Sequence, residues 1–194
     1  MDSLTFLTRP PKGQPLPIYV LAGDEDFLKR QVLEVVKPWV LGSADAFGFS
    51  SYEGKEADFG SIKDELDTLP FLCPRRLVVV DRADPFVTKF RPQLEKYAAH
   101  PSTQGTLVLE VQSFPATTRL AKMLGDATIA CKAMGAAKLP AWCVQWAKAH
   151  HDQQLTQPAA QLLVDLVGAD MGLLEQEIAK LAVYVGTGKR IDAG

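Results

Sequence analysis

Residues 77–82 read Leu-Val-Val-Val-Asp-Arg, four consecutive apolar residues closed by an acid and a base. A strand with one wet face alternates apolar and polar side chains, whereas an uninterrupted apolar run is covered on both faces. Crossover helices supply that double cover, so the run predicts a parallel sheet with helices packed on each side. Working outward, strand-like runs occupy residues 18–22, 47–52, 106–111 and 128–132. Helical patterns separate them over residues 24–37, 58–67, 85–99 and 117–124. In the first of these, Leu28, Val32, Val35 and Val36 share one helical face. Strand–helix repetition of this kind predicts a doubly wound α/β domain over residues 17–135. Ahead of it, residues 1–16 carry Pro10, Pro11 and Pro15 with little periodicity and read as a flexible arm.

Beyond Gly135 the strands stop. Leu139, Trp142, Cys143 and Trp146 form one helical stripe. Ala159, Leu162, Leu163, Leu166 and Val167 form a second, with Thr156 as cap, Pro158 in the first turn and Gly168 as the stop. A third runs through Leu174, Ile178, Leu181 and Val185 and ends at residues 186–190, Gly-Thr-Gly-Lys-Arg. Three consecutive amphipathic helices predict a small helical domain over residues 136–190.

Composition narrows the function. The chain has 194 residues, 47% hydrophobic and 23% charged, enough to bury a sizeable core. With 21 basic and 23 acidic residues, the net charge of -2 gives no overall drive toward DNA or an anionic membrane. No apolar run approaches the roughly 18 residues of a membrane span. The first residues lack the order of a signal peptide, so a cytoplasmic location is expected. Cys73, Cys131 and Cys143 show no metal-ligand spacing, and their odd number argues against a disulfide framework. His150 and His151 end a helix with no third ligand at zinc spacing, so neither metal nor cofactor is expected. Trp142 and Trp146, at i and i+4, suit helix packing better than base stacking. Arg119, Lys122, Lys132 and Lys138 form a basic segment without the interleaved aromatics of a nucleic-acid platform.

In open α/β sheets, ligands bind beyond the carboxyl ends of the strands. There the first strand runs into Gly23-Asp24-Glu25-Asp26-Phe27-Leu28-Lys29-Arg30, where a phosphate loop of the form G-x-x-x-x-G-K-[ST] would stand. Gly23 and Lys29 keep their places. Leu28 replaces the second glycine, and Arg30 replaces the hydroxyl that would hold Mg²⁺. Asp24, Glu25 and Asp26 put three carboxylates where the phosphates would lie. Even at a surface-like dielectric, unit charges about 4 Å apart interact by roughly 4 kcal/mol, more than Lys29 alone can offset. The same acids suit the positive end of a helix. Asp81 stands where a metal-binding aspartate follows such a loop, but Arg82 replaces the glutamate that would polarise water. At the third helix of the second domain, where active nucleotide-binding relatives of such folds place an arginine, Gly172 or a nearby non-basic residue stands instead. The site reads as degenerate and is not expected to bind ATP.

A five-stranded α/β domain with a degenerate phosphate loop, followed by a three-helix lid, resembles the AAA+ clamp-loader fold. Four segments sharpen the likeness: PIYVLAGDEDFLKRQ (17–31), LDTLPFLCPRRLVVVDRAD (66–84), W-x-x-x-W-A-K (142–148) and VGADMGLLEQEIAKLAVYVG (167–186). In this order they resemble the delta-subunit family of bacterial DNA polymerase III. The resemblance implies a clamp-loader subunit that binds the sliding clamp (the beta subunit) and opens its ring during DNA replication. It also implies delta-prime and gamma/tau subunits as partners, primed DNA reached through the loader, no membrane, and a place at the bacterial replisome. No catalytic residues of its own are expected, although the holoenzyme is a DNA-directed DNA polymerase, a nucleotidyltransferase. Family members continue into a helical collar domain, which is expected to be absent from this chain.

By the same resemblance, the clamp is gripped by a short apolar tip before the third strand, here Leu69, Pro70, Phe71 and Leu72. The residues themselves leave two placements open. Large apolar side chains on a proline-fixed turn can form an exposed anchor, or Leu69, Phe71 and Leu72 can tuck beneath the sheet as an ordinary connection. Whether Leu69 or Leu72 partners Phe71 also stays open. Arg75 and Arg76 can meet acidic clamp residues or be ion-paired at home. Two rival readings remain. A divergent ATP-binding AAA+ ATPase is opposed by Leu28, Arg30 and the acidic run. The delta-prime or motor subunit of the same loader is opposed by the absence of zinc-spaced cysteines.

Overall fold

The computed structural model describes residues 1–9, 12–42, 47–186 and 189–193. Pro10 and Pro11 of the expected arm, and Thr187 and Gly188 of the expected helix terminator, lie outside the described residues. Contacts divide the chain into two units, Met1–Lys132 and Ala133–Gly194.

In the first unit the order is α1 (Ser3–Thr8), β1 (Ile18–Ala22), α2 (Asp26–Leu41), β2 (Phe49–Glu53), α3 (Phe59–Asp67) and β3 (Arg76–Asp81). It continues with α4 (Asp84–Lys89), α5 (Arg91–Ala99), β4 (Gly105–Val111), α6 (Arg119–Leu124) and β5 (Thr128–Ala130). The strands form one parallel sheet in the order β2-β3-β4-β1-β5, with Val20 opposite both Leu109 and Thr128 and Val79 opposite Val108. Residues 77–80 are fully covered, which is why that stretch carries no polar residue. Edge strand β2, Phe-Ser-Ser-Tyr-Glu, is half-buried throughout except for exposed Ser51.

Three expectations need correction. The helix read to residue 37 runs on through Pro38 to Leu41. The missing N–H of Pro38 removes one helical bond, but Val40 and Leu41 beyond it are buried in the core and hold the turn in place. The helix read over residues 85–99 is two helices that break at Phe90. Pro92 causes the break, because its ring would clash with the carbonyl four residues back. Thirdly, the segment read as a flexible arm is anchored at both ends. Asp2 caps α1 by accepting from Leu4 N and Thr5 N, and Phe6 is buried. Asp2 bridges Ala130, whose N–H donates to the Met1 carbonyl at 2.8 Å, so these residues cover the open edge of β5. Further along, Trp39 Nε1 donates to the Gly13 carbonyl and Thr106 Oγ1 to that of Leu16.

The second unit contains α7 (Leu139–His151), β6 (Gln154–Leu155), α8 (Gln157–Val167), α9 (Met171–Val185) and β7 (Arg190–Ile191). Leu139, Trp142, Cys143 and Trp146 of α7 are all buried, and Thr156 caps α8 through Ala159 N. Leu162 and Leu166, expected in the buried stripe of α8, are exposed; Ala159, Ala160, Leu163 and Val164 are buried instead. A second departure is the short parallel pairing of β6 with β7, sealed by buried Leu155 and Ile191. Among the described residues, no helix is long and apolar enough to cross a membrane.

Candidate functional site

The chain leaves β1 for the far edge of the sheet and leaves β4 for the opposite side of β1. The carboxyl ends of β1 and β4 therefore flank a topological switch point, the usual ligand crevice of such folds. Gly23 sits there with φ +150°, and its N–H donates to the Val111 carbonyl. A Cβ at Gly23 would lie 1.9 Å from the Cys131 carbonyl oxygen. Close approach of the chain leaving β5 thus demands this glycine, whether or not a phosphate binds. Glu25 caps α2, its Oε1 accepting from Phe27 N at 3.1 Å, while Glu25 N donates to the Cys131 carbonyl. The protein's own carboxylate occupies a first-turn amide of the kind that would meet a phosphate. Leu28 is buried in the core, at the place of the loop's second glycine.

Lys29 is also buried, and its Nζ donates to Asp26 Oδ1 at 3.1 Å. It lines a cleft of about 470 Å³ with Asp26, Arg30, Asp81, Arg82 and Glu110. Burial, and after it the charge of Asp81, pushes the Glu110 carboxyl up to about 7. Arg82, at φ +47°, turns to Glu53 Oε2 at 2.6 Å, and Asp84 accepts from the N–H groups of Gln112 and Ser113. The cleft is thus lined by carboxylates and bases, with Lys29 paired to Asp26 and Arg82 to Glu53. Glu110 was not singled out by its sequence, although an acid inside the apolar run of β4 is a legible signal.

The second feature is the connection from α3 to β3. Leu69, Phe71 and Leu72 are 74%, 75% and 64% exposed, while Pro70 is half-buried. Of the two placements open to these residues, the structure has them in solvent. Leu72 has φ +63°, a left-handed conformation that costs a branched residue roughly 1–2 kcal/mol. This kink separates the Leu72 side chain from the run that follows it.

The turn stands on a pedestal. Arg75 Nη1 donates to the Pro15 carbonyl at 2.8 Å. A Cβ on Gly48 would meet Cys73 Sγ at 2.6 Å, and one on Gly42 would meet the Pro74 ring at 3.3 Å. Both glycines have positive φ, so the chain around the α2–β2 connection is shaped to receive the root of the tip. Beneath it, Glu65 Oε1 accepts from Arg76 Nη2 at 2.9 Å and from Ser50 Oγ, and Oε2 accepts from Tyr52 OH at 2.6 Å. Burial opposes ionisation of Glu65, but these bonds outweigh it and hold its carboxyl below the ordinary value. Of the two arginines considered for an acidic partner, Arg76 is ion-paired within the chain and Arg75 is committed to a carbonyl. Glu65, Tyr52 and Gly48 had no sequence signal, since their partnership depends on strands brought together from afar.

Elsewhere, Trp142 stacks near Trp146, Trp146 packs flat on His150 at 3.6 Å, and His151 Nε2 lies 3.1 Å from Glu175 Oε1. Burial pushes the thiols of Cys131 and Cys143 up to about 12 and about 11. Gly172 lies in the first turn of α9, and Arg119 pairs with Glu95. Lys122, Lys132 and Lys138 are exposed. Among the described residues, no group of three or more His, Cys, Asp or Glu is placed to hold a metal.

The family model described as DNA polymerase III, delta subunit, matches residues 19–132. DNA polymerase III subunit delta of Bacillus subtilis (strain 168) is 26% identical, over 93% of this chain and 55% of that protein. The chain thus spans little more than half the length of that relative. The solved structure of the Bacillus subtilis DNA clamp loader delta protein (YqeN) is similar with a TM-score of 0.78. It is 25% identical and covers 97% of this chain and 58% of the other. A DNA polymerase III gamma subunit-related protein from Thermotoga maritima shares the fold, with a TM-score of 0.52 and 15% identity over 93% of this chain and 58% of its own.

Proposed function

The chain belongs to the DNA polymerase III delta-subunit family, and from that premise we propose that it is the clamp-binding part of a clamp-loader subunit. Leu69, Pro70, Phe71 and Leu72 enter an apolar pocket on the sliding clamp, the beta subunit. The rest of the first unit then favours a clamp with one interface open. The coupling is thermodynamic: the ring opens only insofar as the subunit binds the open form more tightly than the closed one.

One observation carries the reading. Three large apolar side chains stand in solvent on a turn that is braced from beneath. Clustered, rigidly presented anchors of this kind supply most of the energy of a protein interface. The cleft at Gly23, Lys29 and Asp81 supports a role without nucleotide hydrolysis, because Glu25 and Asp26 occupy the amide and the amine that phosphates would need. ATP then acts through neighbouring delta-prime and gamma/tau subunits, and primed DNA is reached through the assembled loader at the replisome. The test is binding of this chain to the sliding clamp after Phe71→Ala with Leu72→Ala. Affinity that survives in the folded double variant refutes the anchor.

A further inference from the structure

The tip is the whole of the chain between Glu65, in the last turn of α3, and Arg76, the first residue of β3, apart from Leu66 and Asp67 that end the helix. These two residues meet in an ion pair, with side chains 13% and 24% exposed respectively. We propose that Glu65, held by Arg76, Tyr52 and Ser50, is a positioning residue that closes the clamp-binding tip at its base and sets the direction in which Phe71 and its neighbours project. The inference rests on the reading of the tip as the clamp anchor.

The geometry argues for orientation as well as attachment. Both carboxylate oxygens are engaged, by donors from β2 on one side and β3 on the other. A carboxylate with several charge-assisted and hydroxyl donors is held in one rotamer. The neighbouring main chain is tied as well: Ser102 Oγ donates to the Leu66 carbonyl at 2.8 Å, and Arg76 N to that of Gln104 at 2.9 Å. One root of the tip is therefore tied to the connection that precedes β4, and the other enters the sheet at Arg76. The cluster adjoins the apolar packing of Ile62, Leu66 and Val78, against which Tyr52 is itself packed. What it adds is a defined exit from α3 and entry to β3. A loop already ordered before binding loses less freedom on binding, which raises affinity without any new contact.

The experiment uses the whole chain and the sliding clamp of the same organism. Glu65→Gln removes the charge and mismatches the donors; Tyr52→Phe removes one donor and is the milder variant should the first fail to fold. Backbone ¹⁵N relaxation is read at Leu69, Phe71 and Leu72, with β1 and β4 as controls. The expected result is a fall in tip order parameters from about 0.85 toward 0.6 or below, with the control strands unchanged. Clamp affinity is expected to fall about tenfold for Glu65→Gln and less for Tyr52→Phe. Tip order that stays at the parent value in the folded variants overturns the proposal. So does loss of order spread equally over β1 and β4, which marks a general structural role. Phe71→Ala, which leaves the base intact, tests the anchor itself. If its affinity is unchanged the anchor reading fails, whereas the relaxation data judge the positioning of the tip independently.

Discussion

Removing two exposed apolar groups of the tip, by Phe71→Ala with Leu72→Ala, tests binding separately from folding. Fully burying a leucine or phenylalanine side chain contributes roughly 1.5–3 kcal/mol. Phe71 is 75% and Leu72 64% exposed in the free chain, so most of that gain is still available to a partner. The two together can supply roughly 2–4 kcal/mol of binding on that scale. At about 1.4 kcal/mol per tenfold change, affinity for the clamp should fall about 30- to 1,000-fold. Folding should hardly respond, because exposed substitutions usually change stability by less than about 0.5 kcal/mol. Removing the side chain at left-handed Leu72 takes nothing from the core. The assay is surface plasmon resonance against immobilised clamp, with thermal denaturation alongside. A tenfold or smaller loss, or a large drop in melting temperature, would refute the reasoning. The first result means that the tip is not the anchor; the second means that it packs within the fold.

Gly23→Ala should unfold or severely destabilise the first unit, by more than about 3 kcal/mol, since a Cβ would sit 1.9 Å from a backbone oxygen where φ is +150°. A urea titration matching the parent chain would contradict that close approach. Glu110 has a folded-state pKa raised to about 7 from an ordinary 4.5, so its burial costs stability progressively as pH rises between those values. Glu110→Gln should therefore raise the melting temperature at pH 8, by the equivalent of at most roughly 3 kcal/mol before solvent screening reduces it, and leave it nearly unchanged at pH 4. An equal effect at both pH values would show that its ionisation is not the source. Calorimetry with Mg-ATP should show no saturable micromolar binding to this chain, and such binding would revive the reading as an active ATPase.

The class of fold was legible because parallel strands advertise themselves locally. Leu77 to Val80 must be apolar on both faces, and the helices between strands repeat their own period. The departure from the phosphate-loop pattern is legible for the same reason, since Leu28, Arg30 and the three acids follow one another in the chain. The structure departs from local preference where a distant contact outweighs it. Pro38 did not end its helix because Val40 and Leu41 are buried beyond it. The prolines after Arg9 suggested a free arm, yet Phe6 and the Asp2–Ala130 bridge anchor the segment before them.

What the amino-acid order determined alone was the alternation of strands and helices, the departure of residues 23–30 from a phosphate-loop pattern and the presence of a short apolar run before β3. Periodicity and adjacency are properties of neighbouring residues, and no folding is needed to read them. Only the tertiary structure decided that Leu69, Phe71 and Leu72 face solvent, and that Glu65, Ser50, Tyr52 and Arg76 converge beneath them. Four residues of a turn carry no period from which burial can be inferred. A hydrogen-bonded cluster drawn from two strands and a helix exists only once the sheet has brought those elements side by side.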